Sequence, residues 1–200
     1  MPAESGALDR KRWTELWARL GAEGSGVPSF IELNRAYAEP ARAYHNAAHI
    51  RDCLAQLDLT RSLADRPDEV EAAIWFHDAV HLPGALDNED RSARLAWDTL
   101  TGAAVSPETS HRITELVLAT RHVALPDTLD AQLLCDIDLS ILARTPDEFN
   151  QFERWIREEY AWVPDSVYRS SRSEIMAGFL RRRSIYQTEY FRSRYEVPAR

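Results

Sequence analysis

The sequence predicts an all-α protein, a single-domain bundle of about eight helices. Apolar residues recur every three or four positions through most of the 200-residue chain. Proline, glycine and capping residues fall where such stretches begin and end. No run alternates apolar and polar residues as a half-buried strand would, and no segment repeats itself.

Leu8–Leu20 places Trp13, Leu16, Trp17 and Leu20 on one helical face and stops at Gly21. After a Gly/Ser turn, Pro28 opens a short helix through Phe30, Leu33 and Tyr37, closed by Glu39-Pro40 because the residue before proline is pushed out of the α region. Residues 1–40 thus read as N-terminal packing helices. Asn46 is a good N-cap for a helix running to about Leu59, with Ile50, Cys53, Leu54 and Leu57 as its stripe. His49, one turn before Cys53, belongs to that inward face. Pro67-Asp68-Glu69 is a favourable first turn for a helix through Val70, Ala73, Ile74, His77 and His81, ending before Pro83.

Asp87 or Asn88 is placed to cap a helix carrying Ala93, Ala96, Trp97 and Leu100. Ser106-Pro107-Glu108 starts the next, which ends near Arg121 and His122. Leu129–Leu142 is apolar except for Asp136, Asp138 and Ser140. Thr145-Pro146-Asp147-Glu148 is a capping box, followed by Phe149, Phe152, Ile156 and Tyr160. A last long helix is expected from about Ser166 to Tyr186, then a polar tail. All six tryptophans read as helix packing.

Composition narrows the function. With 44% hydrophobic residues the chain can bury a large core, and a net charge of −8 argues against a nucleic-acid polymer or an anionic membrane as partner. No apolar run approaches the roughly 20 residues of a membrane span, and the polar start, Met1–Arg12, has no signal-peptide core. Cys53 and Cys135 have no CxxC partner and read as buried free thiols. The chain is expected to be cytoplasmic; homo-oligomerisation is left open.

The chemistry gathers at His49, His77-Asp78 and Asp138, each set among apolar residues on a different helix. A carboxylate in such surroundings is costly unless paired or bound to metal. Two imidazoles and two carboxylates suit a divalent transition metal (Mn, Fe, Co, Ni or Zn, with Mg allowed) and can neutralise it. Asp136 competes with Asp138, but two residues apart they point about 200° from each other around a helix, so only one faces an ion directly.

The order His … His-Asp … Asp on separate helices resembles the HD-domain metal-dependent phosphohydrolases. Tyr44-His45-Asn46-Ala47-Ala48-His49, Trp75–Val80, Asp87-Asn88-Glu89 and Asp136–Leu139 resemble one bacterial group of predicted HD phosphohydrolases, over roughly Tyr44 to Tyr186. The resemblance implies metal ligands at His49, His77, Asp78 and Asp138, preferring Asp138 over Asp136. It implies hydrolysis of a small phosphorylated substrate, a nucleotide first among them, by a metal-activated water. Asp78 is then catalytic as well as a ligand. Many relatives carry a Glu just after His-Asp. Here His81 stands in that place, so Glu89 is the substitute for proton transfer, with Asp87 behind it. Arg42 and Arg121, together with His122, are the candidates for holding substrate. His45 is expected to act as an outer hydrogen-bond donor, and His111 as a solvated residue. Two rival readings remain: an HD-type di-iron oxygenase, if His45 or His122 also binds metal, and a non-catalytic ligand-sensing module.

Overall fold

In the computed structural model, which describes residues 7–200, ten α-helices follow one another. They are α1 (Arg10–Arg19), α2 (Val27–Ala36), α3 (Ala47–Thr60), α4 (Pro67–Phe76), α5 (Asn88–Gly102), α6 (Pro107–Ala119), α7 (Leu129–Asp138), α8 (Pro146–Glu159), α9 (Asp165–Arg181) and α10 (Glu189–Ala199). Single 3₁₀ turns, Arg61–Leu63 and Leu139–Ala143, extend α3 and α7. There is no strand among the described residues, and no helix is long and apolar enough to cross a membrane. The polar segment at residues 1–6 lies outside the described residues.

Helix α4 is the central element, packed against α1, α3, α5, α6 and α7. Every residue from Glu69 to Phe76 is buried, as expected of a helix apolar almost all round. Trp13 of α1 meets Trp75 and Phe76 edge-on, with ring centroids 5.2 and 5.7 Å apart, so the N-terminal helices belong to the same core. The two buried acids on α4 are paired. Glu71 is held by Arg12 (2.7 Å), Arg19 (2.9 Å) and Arg61 (2.6 Å), and Glu69 by Arg112 (2.6 Å).

Several local expectations hold at atomic detail. Asn46 caps α3 by accepting from the Ala48 N–H, and Thr145 and Glu148 form the reciprocal capping box of α8. Three do not. Helix α4 stops at Phe76, so His77 is its C-cap and Asp78 and His81 lie in the irregular chain beyond it. Neither side chain caps α5 as expected: Asn88 instead bonds the backbone N–H and C=O of Leu82. The expected last helix is two. Helix α9 ends at Arg181, and the tail forms α10.

The break between them has a physical cause in Asp136. This fully buried carboxylate accepts from Gln187 N, Thr188 N and Thr188 Oγ1, each at 2.7 Å. It draws the chain into an extended turn, from which Tyr186 and Phe191 fold into the core, and Tyr186 donates to Leu139 O at 3.0 Å. The C-terminal arm is therefore tied to α7 by the acid that sequence alone left without a role. Asp136→Ala leaves two buried donors of Thr188 and the part-buried Gln187 N–H without an acceptor. It is expected to cost about 3 kcal/mol in urea unfolding and to speed hydrogen exchange at the Gln187 and Thr188 amides.

Candidate metal centre

Three helix ends converge on one point. His49 comes from the first turn of α3, His77-Asp78 from the end of α4, and Asp138 from the last residue of α7. His49 Nε2 lies 3.1 Å from His77 Nε2, 3.3 Å from Asp138 Oδ1 and 3.5 Å from Asp78 Oδ2. His77 Nε2 is 3.1 Å from Asp78 Oδ2 and 3.7 Å from Asp138 Oδ1. Ligands about 2.1 Å from an ion stand roughly 3.0 Å apart at right angles and roughly 3.4 Å apart at the tetrahedral angle. The observed spacings, 3.1 to 3.7 Å, lie close to those values, so the donor set is compatible with a divalent transition metal.

The surroundings prepare these atoms for that role. His77 Nδ1 is 3.0 Å from the Ile74 carbonyl, which fixes the proton there and leaves Nε2 as the lone-pair donor. Burial opposes the charge on Asp78, but His77, then His45 and His49, outweigh it and hold its carboxyl below the usual range. Asp138 is likewise held well below, against burial, by bonds from His122, His49 and His77. Burial also opposes a charged His77, yet Asp78 and Asp138 push its pKa well up. Both acids stay ionised, and the pocket attracts positive charge.

The remaining expected site residues divide by position. His122 sits at positive φ (56°) just after α6, an uncommon conformation for a non-glycine residue. Its Nε2 is 2.8 Å from Asp138 Oδ2, and Arg182 donates to its carbonyl. Glu89 lines the same cavity, as does Arg121, whose guanidinium pairs with Asp90. Asp87 is exposed and away from the cavity lining, and His111 is exposed on α6. Arg42 does not line the cavity. It is buried and donates to the carbonyls of Asp78, Ala79 (3.0 Å) and His45 (3.3 Å). Its work is to hold the turn that carries Asp78.

A second cluster stands beside the first. His45 Nδ1 is 2.6 Å from Glu159 Oε2, and the His45 and His81 rings stack with centroids 4.1 Å apart. His81 Nε2 is 3.3 Å from the same oxygen but off the line of a hydrogen bond, and it has no other partner. Glu159 Oε1 accepts from Tyr44 N and His45 N, at 2.8 and 3.0 Å, so the acid anchors the segment leading into α3. Burial opposes its charge, but the bond from His45 and the nearby His81 ring hold its pKa below the ordinary value. Sequence reasoning missed Glu159. The signal was there: it lies three residues after Ile156 and seven after Phe152, on the apolar face of α8.

From the metal-ligand cluster a cavity of about 790 Å³ runs out between the end of α8 and α9. Trp162, expected in the core, lines it and is largely exposed. Both cysteines are buried and free, as expected.

Titration calorimetry is expected to show Mn²⁺ or Co²⁺ binding that His49→Ala or His77→Ala weakens at least about 100-fold, while His111→Ala leaves it unchanged. Glu159 binds its proton less readily in the folded chain than in the unfolded one. Its stabilisation is therefore complete at neutral pH and fades as pH falls below the ordinary glutamate value. Glu159→Gln should be about 2 kcal/mol less stable than wild type at pH 7, with the gap narrowing from about pH 5 to about pH 3 in urea unfolding. Compared with family models, with curated proteins and with solved structures, the chain matches none.

Proposed function

We propose that this chain is an HD-type, metal-dependent phosphohydrolase acting on a small phosphorylated substrate. One observation carries the reading: donor atoms of His49, His77 and Asp138 lie within 4.8 Å of one another, with Asp78 Oδ2 3.1 Å from His77 and 3.5 Å from His49, beside a cavity that His77, Asp78 and Asp138 line. A divalent ion held by His49, His77, Asp78 and Asp138 supplies Lewis acidity and lowers the pKa of a water. The protein's own groups do the rest. Ile74 O fixes the His77 tautomer, Arg42 holds the Asp78 turn, and His122 orients Asp138 through its second oxygen. Glu89, on the cavity wall, is the acid for the leaving-group proton, in the place left open by His81. The buried free thiols suit a reducing, cytoplasmic setting.

A second reading, a two-metal oxygenase, is favoured by the donor atoms of His45, His81 and Glu159, which lie within 4.8 Å of one another. Two irons per chain by elemental analysis would select it over the hydrolase.

With Mn²⁺, Co²⁺, Ni²⁺ or Mg²⁺ supplied, a panel of phosphomonoesters, cyclic nucleotides and nucleotides should reveal hydrolysis, read as phosphate release or, for cyclic nucleotides, as ring opening to the monophosphate. His77→Ala is expected to lower it by at least about 10³-fold. Glu89→Gln should lower kcat by about 10²-fold with metal affinity retained. No hydrolysis above the His77→Ala background across the panel overturns the proposal.

A further inference from the structure

We infer that the substrate is a single phosphate group carried on an apolar, preferably aromatic, body, and not a nucleoside polyphosphate. The inference deepens the proposed phosphohydrolase reading and rests on it only for the phosphate. The body is argued from the outer part of the cavity.

Charge is the first argument. Arg121 and Arg172 are the only arginines or lysines that line the cavity among the described residues. Arg121 is paired with Asp90. Arg172 holds Glu153 at 2.5 Å and lies over the Phe152 ring at 5.1 Å. Apart from the ion site itself, no uncommitted arginine or lysine is left for a second or third phosphate, and polyphosphates need such cations. Glu89 adds negative charge to the wall. The amide of Asn88, which could serve sugar hydroxyls, is engaged at both atoms by Leu82.

The wall itself is the second argument. Helix α9 has no buried residue, yet its apolar side chains Val167, Ile175 and Met176 line the cavity. Val167 is 54% exposed and Ile175 51%, and Trp162 across from them is 69% exposed. Contiguous apolar surface left in water beside a polar centre marks a ligand's apolar contact.

The test uses the full-length, Mn²⁺-loaded protein and phosphonates that cannot be hydrolysed. Calorimetry compares methylphosphonate, 1-naphthylmethylphosphonate and a non-hydrolysable nucleoside triphosphate analogue. The naphthyl compound is expected to bind at least about tenfold tighter than the methyl one. Ile175→Asp and, separately, Val167→Asp should erase that preference with Mn²⁺ affinity unchanged; both sites are half-exposed, so the fold is kept, as circular dichroism will check. Equal binding of the two phosphonates, binding by neither, or tighter binding of the triphosphate analogue overturns the inference. A naphthyl preference without turnover of any phosphate ester sinks the hydrolase reading alone and leaves the apolar site standing.

Discussion

Two imidazole nitrogens 3.1 Å apart, flanked by two ionised carboxylates, form an arrangement that calls for positive charge. With Nδ1 of His77 donating to Ile74, the facing Nε2 atoms need a proton or a metal ion between them, and the two acids that raise the His77 pKa favour either. The rest of the architecture serves this constraint. Helix α4 is wrapped on all sides so that its last turn cannot shift. Arg42 ties down the turn beyond it, and His122 accepts an unusual backbone conformation to meet Asp138. Strain placed at one residue beside a reactive centre is where functional sites tend to keep it.

Much of this was legible in the residues. The all-α class and the caps at Asn46 and Thr145 follow from periodicity and capping chemistry, and the cost of burying charge singles out His49, His77-Asp78 and an acid of α7; the choice of Asp138 over Asp136 comes from the family resemblance. Those signals are local, or concern one energetic misfit at a time. What escaped was set by contacts far apart in sequence. Helix α4 ends at Phe76 because Arg42 captures the carbonyls of Asp78 and Ala79. The last helix breaks because Asp136 reaches residues some fifty positions away. Arg42 shows the same limit from the other side. Its place near His45 suggested a substrate contact, but its buried guanidinium is filled by backbone carbonyls.

Asp136 and Asp138 show how closely neighbouring acids can differ. Side chains two positions apart on α7 point in opposed directions, so one is turned toward the C-terminal arm and the other toward the histidines. A single helical turn thus joins the docking of the arm to the placement of a candidate ligand. Glu159 does comparable work from α8, holding the segment that delivers His45 and then His49.

Helix α9 carries a different consequence, one of rates. This helix has no fully buried residue and is held by partly buried Tyr168, Met176 and Phe179 and by side-chain pairs such as Arg172 with Glu153 and Arg157 with Tyr168. Elements of that kind open at a small fraction of the free energy of global unfolding. If α9 holds the body of a ligand as proposed, that side of the cavity would also be its cheapest exit. Residence time would be governed by the breathing of α9, and affinity by the rigid floor beneath it.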